Sequence, residues 1–118
     1  MRTQAWQAVA PIFQRYDALL CPTTTVTAPV IGLDEMAFDY VDAAGKSHLL
    51  DMTIPFNVIS RCPALQVPSG LADGLPTGVQ IVGRRYDDAT ALRIGAALQE
   101  ARPWPRWTPD RLAPATAP

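Results

Sequence analysis

The chain has 118 residues, a length that suits one domain built around one core. Its composition is 48% hydrophobic and 18% charged, which excludes wholesale disorder. A net charge of −1 leaves no basic footprint for a nucleic-acid partner, and no apolar run is long enough to span a bilayer.

The first segment, Thr3 to Tyr16, carries Trp6, Val9, Ala10 and Phe13 at helical spacing, which predicts an amphipathic helix. Pro11 lacks an N–H and crowds the preceding turn, so the helix either kinks there or a second piece starts there. Asp17 to Cys21 then reads as a buried strand that Pro22 stops. Thr23-Thr24-Thr25 follows as a loop at a strand end, a place where α/β sheets often hold ligands.

Residues 23–50 are the least regular part. Pro29 and Gly32 break any early element, and Asp42 to Ser47 reads as a turn. Ser47 to Asn57 has helical character interrupted by Pro55. Two short apolar runs come next, Ala64–Val67 and Gly78–Val82, each closed by a breaker, Pro68-Ser69-Gly70 and Gly83. They predict antiparallel neighbours joined by a loop over Ser69–Pro76.

The last element is the clearest. Asp87 or Asp88 supplies an N-cap, and Ala91, Ile94, Gly95, Leu98 and Ala101 share one face of a helix that Pro103 ends. Gly95 weakens an isolated helix by about 1 kcal/mol relative to alanine, and a close approach to a neighbouring element explains its use. Trp104 and Trp107 lie in a proline-rich tail, where packing back onto the helix is the expected fate of such large rings. The order of elements predicts an α/β fold, with helices covering a mixed β-sheet.

Candidate chemistry is sparse. Gly45-Lys46-Ser47 matches the end of a phosphate-binding loop, but that motif needs a glycine where Tyr40 stands. Lys46 is the sole lysine and His48 the sole histidine, and the serines are Ser47, Ser60 and Ser69. Ser69 lacks the Gly-x-Ser-x-Gly setting of a nucleophile elbow, and reads as a turn serine after a strand. Cys21 and Cys62 each precede a proline and read as buried free thiols. One histidine and no Cys-x-x-Cys argue against a zinc site, and no cofactor is expected. The N-terminus lacks the apolar core of a signal peptide, so a cytoplasmic location is expected.

Four stretches, taken in order, carry a family likeness. They are Tyr16–Thr23, Pro55-Phe56-Asn57, Pro63–Gly70 and Gly74–Gly83, the last reading Gly-Leu-Pro-Thr-Gly-Val-Gln-Ile-Val-Gly. Together they make the chain resemble the C-terminal part of the amidase signature family, serine hydrolases that cleave amides with a Ser–cis-Ser–Lys triad. The resemblance implies a fragment of the amidase-signature fold over residues 1–102, followed by an irregular Pro/Trp-rich tail over residues 103–118. It places Pro22, Thr23, Thr24, Phe56 and Asn57 at the substrate entrance. It carries over no catalytic residue, because the Gly/Ser-rich segment that holds the family's nucleophile has no match here. Where many members have a glycine soon after the asparagine, this chain has Ser60-Arg61-Cys62.

Two kinds of function follow. The first is an amidase segment, inert alone, whose small amide substrate binds in the complete enzyme. The amidase-like component of a tRNA-dependent amidotransferase is a variant of it. The second is a non-catalytic binding or assembly module on the same scaffold. In either case the chain is expected to self-associate or to pair with an upstream amidase segment, through Leu19, Leu20, Leu65, Val67, Val79 and Ile81.

Overall fold

A computed structural model describes residues 2–29, 31–32, 40–41, 43–45, 47–48, 50–59 and 61–104. Lys46, Ser60, Trp107 and the tail from residue 105 onward lie outside the described residues. Among the described residues three helices and five strands follow one another as α1 (Arg2–Arg15), β1 (Ala18–Pro22), β2 (Tyr40–Val41), β3 (Ser47–His48), α2 (Ile54–Ile59), β4 (Ala64–Ala72), β5 (Leu75–Gly83) and α3 (Asp88–Ala101). The α/β arrangement expected from the sequence is the one observed. The main sheet has the order β1-β5-β4 with both pairings antiparallel, and β2 pairs with β3 in a separate short ribbon.

Alternation along the strands sorts the sheet into two faces. Leu65 pairs with Ile81 and Val67 with Val79, and all four turn toward α3. Val67, Ile81 and Ala91 are buried together, with Leu65, Val79, Ile94, Leu98 and Trp104 packed around them. The predicted strand pair and its covering helix are therefore present, held through Ile94 and Leu98 as expected. Asp87 is the N-cap, and its carboxylate accepts from the backbone N–H of Thr90 at 3.1 Å. Gln66 and Gln80 face each other on the opposite side of the same ladder. Phe13, Ile59 and Val82 are further buried apolar side chains, and α1 packs against α2 and β1.

Several expectations need correction. Helix α1 continues through Pro11 as one element, so no second piece starts there. β1 is an edge strand rather than a buried one, because α3 packs on β4 and β5 and leaves Leu20 54% exposed. The stretch from Ser47 begins as β3, and α2 starts only at Ile54. Pro55 is no obstacle there, because the missing N–H falls in the first turn, where it would have no helical partner. The segment Ser69–Pro76 is not a loop. β4 and β5 continue through it to a two-residue turn at Asp73-Gly74, with φ of 52° and 76°. That is the Asp-Gly hairpin turn with both central residues left-handed. A bulge between Pro68 and Gly70 absorbs the extra residue.

The prolines are accommodated by position. Pro68 lies in an edge strand, and Pro76 lies beyond the end of β1, where among the described residues β5 pairs with β4 alone. Of the six apolar residues expected at an association boundary, Leu65, Val67, Val79 and Ile81 instead lie under α3. Among the described residues no helix is long and apolar enough to cross a membrane.

Candidate functional site

The threonine loop after β1 is tied down on two sides. The Thr23 N–H donates to Gly78 O at 3.2 Å, extending the β1–β5 ladder by one step. On its other side, Met52 N donates to Thr23 O and Thr25 N to Leu50 O, both at 3.0 Å, around an antiparallel bridge between Thr24 and Asp51. Residues 23–25 are thus a short strand-like splint between the sheet and the segment that enters α2.

Gln80 locks this splint from beneath. It is 2% exposed, and its Nε2 donates to Pro22 O at 3.1 Å and Met52 O at 2.9 Å. Both partners are carbonyls, so the amide nitrogen must be the atom that faces them. One buried side chain therefore fixes the spacing between the end of β1 and the entry to α2. At that entry Asp51 Oδ1 accepts from Thr53 N at 2.7 Å, and hydrogen bonds from Thr53 hold the Asp51 carboxyl below its ordinary range. Phe56 N and Asn57 N both donate to Thr53 O at 3.0 Å, and Asn57 Nδ2 reaches Thr53 Oγ1 at 3.4 Å.

These constraints bring Thr23, Thr53, Phe56, Asn57, Ala64, Gln66 and Gln80 around one cleft of about 240 Å³. Thr23 Oγ1 is buried and meets no hydrogen-bond partner among the described residues. Gly78 makes room for this arrangement. A Cβ there would lie 2.6 Å from Gln66 Nε2 and 3.1 Å from Thr23 Oγ1.

The residues singled out from the sequence divide between sites. Thr23, Phe56 and Asn57 share the cleft just described. Pro22 and Thr24 line a wider one of about 810 Å³ with Cys21, Val26, Ser69, Thr77 and Val79. Thr24 Oγ1 is engaged locally, donating to Val26 O at 2.7 Å. Gln66 and Gln80 are not legible as site residues in the sequence. Their signal is two amides at facing positions in otherwise apolar strands, which has meaning only with the register known.

The smaller cleft is lined by hydroxyls, amides, one ring and one methyl group. It holds hydrogen-bond donors and acceptors and no titratable side chain. Such a surface can orient a neutral polar group, but it offers no base to activate a nucleophile. Other candidates fare no better. Ser69 Oγ is 2.9 Å from Thr77 Oγ1 across the hairpin. Cys21 and Cys62 are free thiols, and burial pushes both above the ordinary thiol range, opposed in part by Gln80 and by Arg85 respectively. A protonated thiol is a poor nucleophile. No group of His, Cys, Asp and Glu among the described residues could hold a metal ion.

Comparison with known proteins gives the class. The family model described as Amidase matches residues 1–92, and the chain belongs to that family, the amidase signature enzymes. It is 39% identical over 111 residues to the A subunit of glutamyl-tRNA(Gln) amidotransferase from Desulforamulus reducens, covering 93% of this chain and 21% of that protein. The structure of the corresponding protein from Thermotoga maritima is similar with a TM-score of 0.70 and 35% identity, covering 89% of this chain and 22% of that one. The structure of 6-aminohexanoate cyclic dimer hydrolase is similar with a TM-score of 0.71 and 31% identity, covering 95% and 25%. The chain spans about a fifth of the length of the curated relatives it matches.

Proposed function

We propose that this chain is the C-terminal segment of an amidase-signature hydrolase. It supplies the β1-β5-β4 sheet, the covering helix α3 and one wall of the substrate entrance. The nucleophile and base come from elsewhere in the complete fold, so the chain is catalytically incomplete alone. The observation that carries this reading is the cleft around Thr23, Asn57 and Gln66, which is polar, locked by Gln80, and free of titratable groups. A neutral carboxamide both donates and accepts hydrogen bonds, and hydroxyl and amide side chains match it without charge. The short span relative to the family's full-length members supports the same reading.

On this reading residues 1–102 form the amidase-like unit and residues 103–118 are an appended tail. Thr23, Phe56 and Asn57 face the substrate directly, while Pro22 and Thr24 shape the wider mouth. The remainder of an amidase fold, or a second copy of the chain, covers the open side of β1 where Leu20 and Val26 are exposed. The setting is cytoplasmic. A narrower reading, a segment of the A subunit of a glutamyl-tRNA(Gln) amidotransferase, is favoured by the relatives of that name. The test is a panel of primary and aryl amides offered to the purified chain, which should turn over none of them. Turnover that survives rigorous repurification would overturn the assignment.

A further inference from the structure

A third cleft, of about 220 Å³, lies between α1 and the ends of α2 and β5. Arg2, Trp6, Ile59, Arg61 and Arg85 are among its lining residues, and no carboxylate is. It shares no residue with the cleft around Thr23. Arg84, by contrast, is paired with Asp17 at 3.0 Å. The Arg85 guanidinium carbon sits 5.2 Å from the centre of the Trp6 ring and 5.6 Å from that of Tyr86. A ring attracts the guanidinium charge, but it leaves the five N–H donors still in need of acceptors. Arg85 Nε is buried and meets no acceptor among the described residues. Arg2, Arg61 and Arg85 line one small space, and like charges held near one another repel unless an anion joins them.

We propose that this cleft binds a phosphate group. A lone carboxylate has two oxygens, which one guanidinium satisfies in a bidentate pair. Three arginines lining one compact cleft suit a tetrahedral dianion with more oxygens to share. The rings of Trp6 and Tyr86 beside the Arg85 guanidinium restrict that side chain before any ligand arrives. A nucleic-acid backbone is a poorer occupant, because it needs a basic stripe and the chain's net charge is −1.

The test is isothermal titration of the full chain with inorganic phosphate and with phosphoserine, against potassium chloride and acetate at matched ionic strength. Phosphate or phosphoserine should bind saturably, and the tighter of the two tells a free phosphate from a phosphate monoester. Arg61→Gln should weaken binding by roughly tenfold or more, as expected for a lost charge-assisted hydrogen bond. Arg2→Gln, at the exposed start of α1, gives a second variant if Arg61→Gln perturbs folding. Acetate binding as tightly as phosphate, or folded variants that bind like the parent chain, would overturn the proposal.

Discussion

Gly95 of α3 rides so closely over Leu65 of β4 that a Cβ at Gly95 would lie 2.6 Å from Leu65 Cδ2, with Val67 Cγ1 at 3.5 Å behind it. The helix meets the sheet at this point, and the glycine sets how near it comes. Gly95→Ala gains about 1 kcal/mol of helix propensity but forces Leu65 out of its place, an overpacking that typically costs about 1–3 kcal/mol. A net loss of about 1 kcal/mol is expected in urea unfolding. Combined with Leu65→Ala, the two losses should fall short of their sum, because the smaller side chain removes the clash.

The fit between Gly95 and Leu65 is half legible in the sequence. A glycine on the apolar face of a well-capped helix implies a close neighbour, and the strand period places Leu65 and Ile81 on one face. The hairpin is obscured for an equally physical reason. Pro68, Ser69, Gly70 and Pro76 read as breakers, yet the strand edge and the bulge accommodate them, and they mask the Asp73-Gly74 turn. The cleft around Thr23 is partly legible. Thr23, Phe56 and Asn57 stand out through a family pattern, whereas Gln66 and Gln80 gain meaning only from cross-strand register, which no local pattern supplies.

The turn yields its own prediction. Gly74 has φ of 76°, a region that costs an L side chain roughly 1–2 kcal/mol. Gly74→Ala should destabilise the chain by about 1 kcal/mol, read from the same unfolding curves. Asp73→Asn should change little, since asparagine tolerates the left-handed region.

Gln80 should be the most sensitive polar position. Gln80→Leu removes the donor shared by the carbonyls of Pro22 and Met52, and losing these two part-buried hydrogen bonds should cost about 1–3 kcal/mol in all. Gln80→Glu at neutral pH should be worse, because a carboxylate would face two carbonyl oxygens. Acidification should then recover part of the loss as the carboxyl gains a proton it can donate. Thermal melts of both variants across pH decide this, and a Gln80→Glu chain as stable as the parent at neutral pH would remove Gln80 from its locking role.

Asp87 gives the pH dependence its sign. Hydrogen bonds from the Thr90 side chain and backbone hold its carboxyl below the ordinary value of 3.8. A depressed folded-state pKa contributes stability that is present above that value and lost as pH falls through the folded one. The melting temperature should therefore drop below about pH 4, and Asp87→Ala should flatten that drop while lowering the melting temperature at neutral pH. An unchanged acid limb in the variant would place the transition elsewhere.

The function proposed above is that of a segment that binds and positions within an amidase fold but does not itself cleave. It is tested most directly by grafting residues 1–102 in place of the matching segment of the Thermotoga maritima amidotransferase protein and measuring initial rates of amide hydrolysis. The folded chimera should hydrolyse amide, the host lacking the segment should not, and Asn57→Ala or Thr23→Val in the graft should raise KM more than they lower kcat. A well-folded chimera without turnover, or hydrolysis by the isolated chain, would contradict it.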